Sequence, residues 1–138
     1  MIVKLKGNIE QFDRNFLDLD VNGTVYRILM SNSNIEKLGP IGSQIIIFIY
    51  EIIKEDSRIF AGFLKNEERE TFGELLTVQG VGGKMALNIM SNLENEVIVN
   101  SIINEDAKIF NNVSGVGSKL ALRIINELKE KFKKKILK

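Results

Sequence analysis

Hydrophobic positions change period once along the chain. Up to Leu64 they alternate: Leu17, Leu19 and Val21 interleave with Asp18 and Asp20, and after Asn22-Gly23 the residues Tyr26, Ile28 and Met30 alternate with Val25, Arg27 and Leu29. A period of two is that of a half-buried strand. Asn-Gly between two such runs predicts a hairpin, because both central residues of a type I′ turn need positive φ. The apolar run from Gln44 to Ile53 and the segment from Arg58 to Phe63 predict a second hairpin, turning at Lys54-Glu55-Asp56-Ser57. Within it, Gln44 to Tyr50 reads as a buried strand. The single proline, Pro40, falls in a Gly39-Pro40-Ile41-Gly42 loop. Several short strands with little helix predict a small β-barrel.

After Phe63 the pattern becomes helical. Asn66 with Glu67 and Glu68, and Asn104 with Glu105 and Asp106, each predict a helix start: a capping side chain followed by acids at the positive end of the dipole. Leu120, Ile124, Leu128, Phe132 and Ile136 recur at i+4 as one apolar stripe on a final helix. The fold class is therefore α+β, a barrel domain over residues 1–64 followed by an all-α domain over 65–138.

Composition narrows the chemistry. The 138 residues include no cysteine and no histidine. That excludes disulfides, thiolate nucleophiles, cysteine–histidine zinc sites and histidine-dependent triads. No apolar run approaches the roughly 18 residues of a membrane helix, and the N-terminus carries no secretion-signal pattern, so cytosol is the expected location. Net charge is only +1, but residues 1–64 hold 7 basic and 8 acidic side chains, whereas residues 65–138 hold 12 and 10. A polyanion, if bound, must meet a local surface rather than a global field.

The helical half contains a repeat at an offset of 35 residues. Val78-Gln79-Gly80-Val81-Gly82-Gly83-Lys84-Met85-Ala86-Leu87-Asn88-Ile89-Met90 aligns with Val113-Ser114-Gly115-Val116-Gly117-Ser118-Lys119-Leu120-Ala121-Leu122-Arg123-Ile124-Ile125, with eight of thirteen positions identical. Glycine permits a tight turn and close backbone approach to a ligand. The helix that follows leaves its first amides unpaired and favours an anion there. Lys84 and Lys119 add a positive charge within the first turn. Together these make two phosphate cradles with no means of reading a base. One Gly-x-Gly alone is equally a loop between packed helices; two, with lysine at the same offset, argue for a ligand. The dinucleotide fingerprint fails for want of a third glycine and a preceding strand. A nucleoside-triphosphate P-loop fails on spacing and on the missing Ser/Thr after lysine.

This is the helix-hairpin-helix pattern, present twice. Met1-Ile2-x-x-Leu5-x-Gly7, Asn22-Gly23-x-x-Tyr26, Lys54-Glu55-Asp56, Phe60-x-Gly62-Phe63 and Glu68-Arg69-x-x-Phe72-x-x-Leu75 precede the two Gly-Val-Gly-x-Lys motifs in that order. Over essentially its whole length the chain resembles the RuvA family, bacterial subunits that bind Holliday junctions. The resemblance implies an OB-like N-terminal barrel and a tandem helix-hairpin-helix domain. It implies a fourfold homotetramer, or two stacked as an octamer, holding an open four-way DNA junction. Its partners would be RuvB, the ring ATPase that drives branch migration, and RuvC, which resolves the junction.

By position, the resemblance implies DNA contacts at Gly80, Gly82, Gly83, Lys84, Gly115, Gly117, Ser118 and Lys119; the place of Arg123 on its helix adds it as an expected extra phosphate contact. It implies an acidic pin at Glu55 and Asp56, whose carboxylates repel phosphates near the crossover. Apart from the resemblance, Lys54-Glu55-Asp56-Ser57 reads simply as a solvated turn. No catalytic residue, cofactor or metal is expected, since two adjacent acids on a turn make a poor magnesium site.

Family members continue through a linker to a third domain that contacts RuvB. This sequence stops at Lys138, short of that domain, so the expected content is junction binding without it. The lysine-rich end (Lys133, Lys134, Lys135, Lys138) reads equally as a DNA contact or a solvated helix end. Three other readings stand beside this one. They are a generic duplex-binding module, a DNA glycosylase or lyase using Glu105 or Asp106, and a single-strand binder using the barrel.

Overall fold

The computed structural model describes residues 1–136. It divides into two compact units, Met1–Glu70 and a second from Thr71 onward. In the first, β1 (Lys4–Phe12), β2 (Phe16–Val21), β3 (Thr24–Leu29), β4 (Gln44–Lys54) and β5 (Ser57–Phe63) close into a barrel of order β1-β2-β3-β5-β4, β4 returning to β1. Every pairing is antiparallel except β3 with β5, which run parallel through Ile28–Phe60 and Leu29–Ala61. One parallel closure in a five-stranded Greek-key barrel is the OB arrangement.

The Asn-Gly hairpin forms as its turn chemistry requires. Asn22 and Gly23 take φ of 53° and 94° between the paired residues Val21 and Thr24. Inside the barrel lie Leu5, Ile9, Leu17, Leu19, Ile28, Met30, Ile47 and Ile49, joined by Ile35 of the one-turn helix α1 (Asn32–Ile35). Strand β4 departs from expectation. Its apolar run is buried on one face only: Ile47 and Ile49 point inward, while Ile46 on the other face is 47% exposed; Ile53, in the inward register but next to the hairpin turn, is 62% exposed. A barrel wall has one interior, so alternation persists even where both faces are apolar.

Two carboxylates are built into this unit. Asp18 lies beneath Arg27, which donates two bonds to it at 2.9 Å, and Gln11 adds a third at 2.7 Å. The Arg27 hydrogen bond, above all, holds the Asp18 carboxyl below its usual range. Glu51 continues the inward face of β4, where it accepts the Ile2 amide at 2.8 Å and pairs with Arg58 on β5. The Ile2 amide, with Arg58 assisting, likewise holds Glu51 low.

The helices are α2 (Asn66–Leu76), α3 (Gly83–Asn92), α4 (Asn95–Ile103), α5 (Ala107–Asn111) and α6 (Ser118–Ile136). The repeat recurs in burial: Val78 and Val113, Val81 and Val116, Ala86 and Ala121, Ile89 and Ile124, and Met90 and Ile125 are all buried. Both α4 and α5 pack on α6. Among the described residues no helix is long and apolar enough to cross a membrane.

Three local expectations change. Asn66 lies inside α2 rather than capping it, and Glu68 Oε1 reaches back to accept the Leu64 and Lys65 amides, each at 3.1 Å. A first-turn glutamate does this work when the capping residue, here Lys65, has no acceptor. Asn104 ends α4 instead of starting α5, and Asp106 occupies the α5 cap position without a side-chain cap bond. Glu105 between them turns the chain at φ 56°. On α6 the stripe runs through Ile124, Leu128 and Phe132, widened by Ala121 and Ile125; Ile136 is 62% exposed, the helix outrunning its core.

Candidate nucleic-acid interface

Each glycine motif joins two helices by the same short ladder. The Val81 amide bonds Val78 O at 3.0 Å, and Val116 bonds Val113 O at 3.0 Å. Ala86 then bonds Gly82 O at 2.9 Å, and Ala121 bonds Gly117 O at 3.0 Å, opening α3 and α6. The first glycine of each pair carries the turn: Gly80 has φ 95° and Gly115 φ 88°. A side chain there is strained.

The second glycine of each pair is different. Gly82 is extended, with φ −95° and ψ −178°, a conformation any residue adopts. A Cβ added at Gly82 or at Gly117 would meet nothing within 4 Å. Neither the backbone nor the packing of this chain requires glycine there. The remaining physical reason is approach by something outside the chain. Gly82 also offers no side chain to cap α3. The amides of Gly83, Lys84 and Met85 are thus the donors that a helix cannot satisfy internally. Lys84 and Lys119 occupy the second position of their helices, exposed and in no ion pair with another described residue. Gly83 and Ser118 open α3 and α6. Backbone donors, dipole and lysine together suit a phosphate.

The two turns lie against each other's helices. A Cβ at Gly80 would sit 3.4 Å from Leu120 Cδ1 and 3.8 Å from Arg123 Nη1, and one at Gly115 would sit 3.4 Å from Met85 Cε. Arg123, expected to reach phosphate, is brought to the first turn. Its guanidinium lies 3.4 Å from Gln79 O and 3.9 Å from Glu127.

Glu55 and Asp56 form the two-residue tip of the β4–β5 hairpin, between the paired residues Lys54 and Ser57, and both are exposed. Glu51, buried, pairs with the exposed Arg58 at the base of this tip. The sequence reading missed Glu51, although one acid inside an otherwise apolar run was the available signal. Glu105 and Asp106 are exposed, and Glu105 pairs with Lys129 at 3.4 Å. Of the terminal lysines, Lys133, Lys134 and Lys135 lie in the last turn of α6, and Lys138 lies outside the described residues.

Comparison with known proteins matches both units. Residues 1–59 match the RuvA N terminal domain family, and residues 72–130 match the family described as SAM-like helix-hairpin-helix tandem. Holliday junction branch migration complex subunit RuvA of Halothermothrix orenii is 40% identical over 133 residues, covering 96% of this chain and 68% of that protein. The same-named subunits of Agrobacterium fabrum and Rhizobium rhizogenes are 37% and 40% identical, each over 95% of this chain and 64% of their own length. The chain thus spans just under two thirds of several curated relatives it matches. Two domain families in the same order, and this identity across nearly every residue, place the chain in the RuvA family.

Proposed function

We propose that this chain binds four-way (Holliday) junction DNA through its phosphates, without regard to sequence, and holds it open for branch migration in recombination and repair. The carrying observation is the duplicated cradle, whose second glycines, Gly82 and Gly117, have no reason within the chain. In this reading Gly80, Gly82, Gly83, Lys84, Gly115, Gly117, Ser118 and Lys119 form the phosphate contacts. Helix amides and lysines engage two backbone positions per protomer, while Glu55 and Asp56 repel strands at the crossover. The names of the relatives support a role as one subunit of a larger machine. The chain would act as a non-catalytic accessory, assembled as a homotetramer or octamer in the cytoplasm, beside a RuvB-type ATPase and a RuvC-type resolvase.

The test is a gel shift on an immobile four-way junction with excess unlabelled linear duplex of matching sequence. A discrete complex that survives the competitor is expected. Its loss would leave the second reading, a generic duplex-binding module, which the sequence-blind cradles alone would also support. Lys84→Ala combined with Lys119→Ala should weaken binding to all sequences alike. Because each neutralised phosphate contributes a log–log salt slope of about −0.9, the slope should flatten by roughly two such steps for every protomer on the junction. An unchanged slope would remove the lysines from the interface.

A further inference from the structure

We propose that Asn88 and Arg123 are the positioning residues of the two cradles, each reaching from the helix of one hairpin to hold the turn of the other. This rests on the DNA-binding reading above and assigns what keeps that site in shape. Asn88 Nδ2 donates to Ser114 O at 2.8 Å, and Ser114 immediately precedes the left-handed Gly115. One repeat later, Arg123 Nη1 donates to Gln79 O at 3.4 Å, and Gln79 immediately precedes the left-handed Gly80. The third member of each set corresponds too. Asn92 Nδ2 bonds Asn88 Oδ1 at 3.2 Å, and Glu127 lies 3.9 Å from Arg123 Nε.

Residues 79, 88 and 92 thus recur as 114, 123 and 127, all at the offset of 35 that relates the motifs. The chemistry differs between copies, amide on amide in one and guanidinium on carboxylate in the other, yet the role is the same. Only the backbone oxygen of Gln79 and Ser114 is used, which leaves their side chains free to differ.

The physical consequence follows from peptide planarity. Fixing the Ser114 carbonyl fixes the Gly115 N–H on the far side of the same plane. A turn through a left-handed glycine is otherwise soft. A donor anchored on a helix therefore sets the direction of the peptide that enters each cradle. Since each donor belongs to the opposite hairpin, neither cradle is positioned independently of the other. Arg123 acts here through Gln79 rather than as a phosphate ligand. The Asn88 bond is the shorter, so the second cradle depends on its strut more.

Two readouts test this. In the free protein, the Val116 amide is bonded inside the second turn, to Val113 O at 3.0 Å, and reports its order by hydrogen exchange. Asn88→Ala should speed exchange at Val116 by about tenfold while leaving Val81 unchanged. Arg123→Ala should give the mirror image, loosening Val81 and not Val116. On the junction, Asn88→Ala should cost about fivefold in affinity, the scale of one hydrogen bond, with the salt slope unchanged. Asn88→Arg, which installs the residue found at the twin position, should restore both exchange and affinity. Unchanged exchange at Val116 would overturn the proposal, as would a flattened slope for Arg123→Ala, which would make Arg123 a phosphate contact. Failure of the wild-type chain to prefer junctions would sink the functional reading alone, because the exchange experiment needs no DNA.

Discussion

Glycine and charge serve opposite ends in the two units. In the barrel, a Cβ at Gly62 would collide with Ile28 Cγ2 and lie 2.7 Å from Ile47 Cγ2, and one at Gly7 would collide with Asp20 O. Those glycines exist because the barrel closes on itself. In the helical unit, Gly82 and Gly117 face open space. Charge divides the same way. Asp18 and Glu51 are buried and bonded to arginine, whereas Lys84 and Lys119 stand exposed without a partner among the described residues. A residue type that the chain's own packing explains is evidence of fold. The same type left unexplained is evidence of a ligand.

The comparison can be attacked first where it predicts most. Gly62→Ala should cost about 3 kcal/mol or more, because the branched methyls it meets cannot swing aside and overpacked cores strain. Both tyrosines, Tyr26 and Tyr50, lie in the barrel and there is no tryptophan, so tyrosine fluorescence during denaturant unfolding follows this unit alone. An unmoved midpoint would mean the interior has slack that the packing does not show.

Acid should reach the barrel through the same buried carboxylates. Asp18 and Glu51 both have folded-state pKa values below their ordinary ones. The unfolded chain therefore binds more protons than the folded one as these groups titrate, and stability falls as pH falls. Their contribution is fully present above the unfolded values of about 4 and is lost as pH drops through the lower folded values. Tyrosine-monitored unfolding should show a midpoint level near neutrality that declines below about pH 4. Asp18→Asn with Glu51→Gln should be less stable at pH 7 and should flatten that decline. A double variant with the same acid slope as the parent would assign it to other carboxylates.

Gly82→Ser with Gly117→Ser probes the opposite kind of glycine. Serine caps a helix at least as well as glycine and accepts the extended backbone seen at Gly82, so stability should hold or rise by a few tenths of a kcal/mol. The added atoms would occupy the space left for a phosphate backbone. Junction affinity should fall about tenfold, or 1.4 kcal/mol. Unaltered affinity would show that DNA does not come within reach of a Cβ there.

Most of the architecture was legible because it rests on short-range rules. Alternation and Asn22-Gly23 specified one hairpin, and the offset-35 repeat specified two identical turns. What escaped depends on neighbours distant in sequence. The burial of Glu51 required knowing that Ile2 and Arg58 converge on it. The exposure of Ile46 required knowing that β4 forms a single wall. A helix does begin at Asn66 with Glu67 and Glu68 in its first turn, but the expected cap failed there, and Asn104 ends a helix instead of starting one, because composition marks a helix end without saying which side chain will bond. At the candidate site, glycine and lysine were visible from the motif. The Asn88 and Arg123 struts were visible only once the two copies were seen to cross, although their spacing had been in the repeat throughout.

The smallest predicted effect carries a sign opposite to that of the lysines. Glu55 and Asp56 are exposed at a hairpin tip whose pairing is held by backbone bonds and by Glu51 and Arg58 below it, so Glu55→Gln with Asp56→Asn should leave the barrel intact. In water two unit charges 4 Å apart interact by only about 1 kcal/mol, and salt screens them over about 8–10 Å. Removing carboxylates that face phosphates should therefore tighten junction binding by no more than about fivefold at low salt, and by less as salt rises. Equilibrium titrations at two ionic strengths would read both the sign and its decay. Weaker binding in the neutralised variant would mean that these acids hold the DNA rather than repel it, and the barrel would then contribute attraction where the comparison assigns it none.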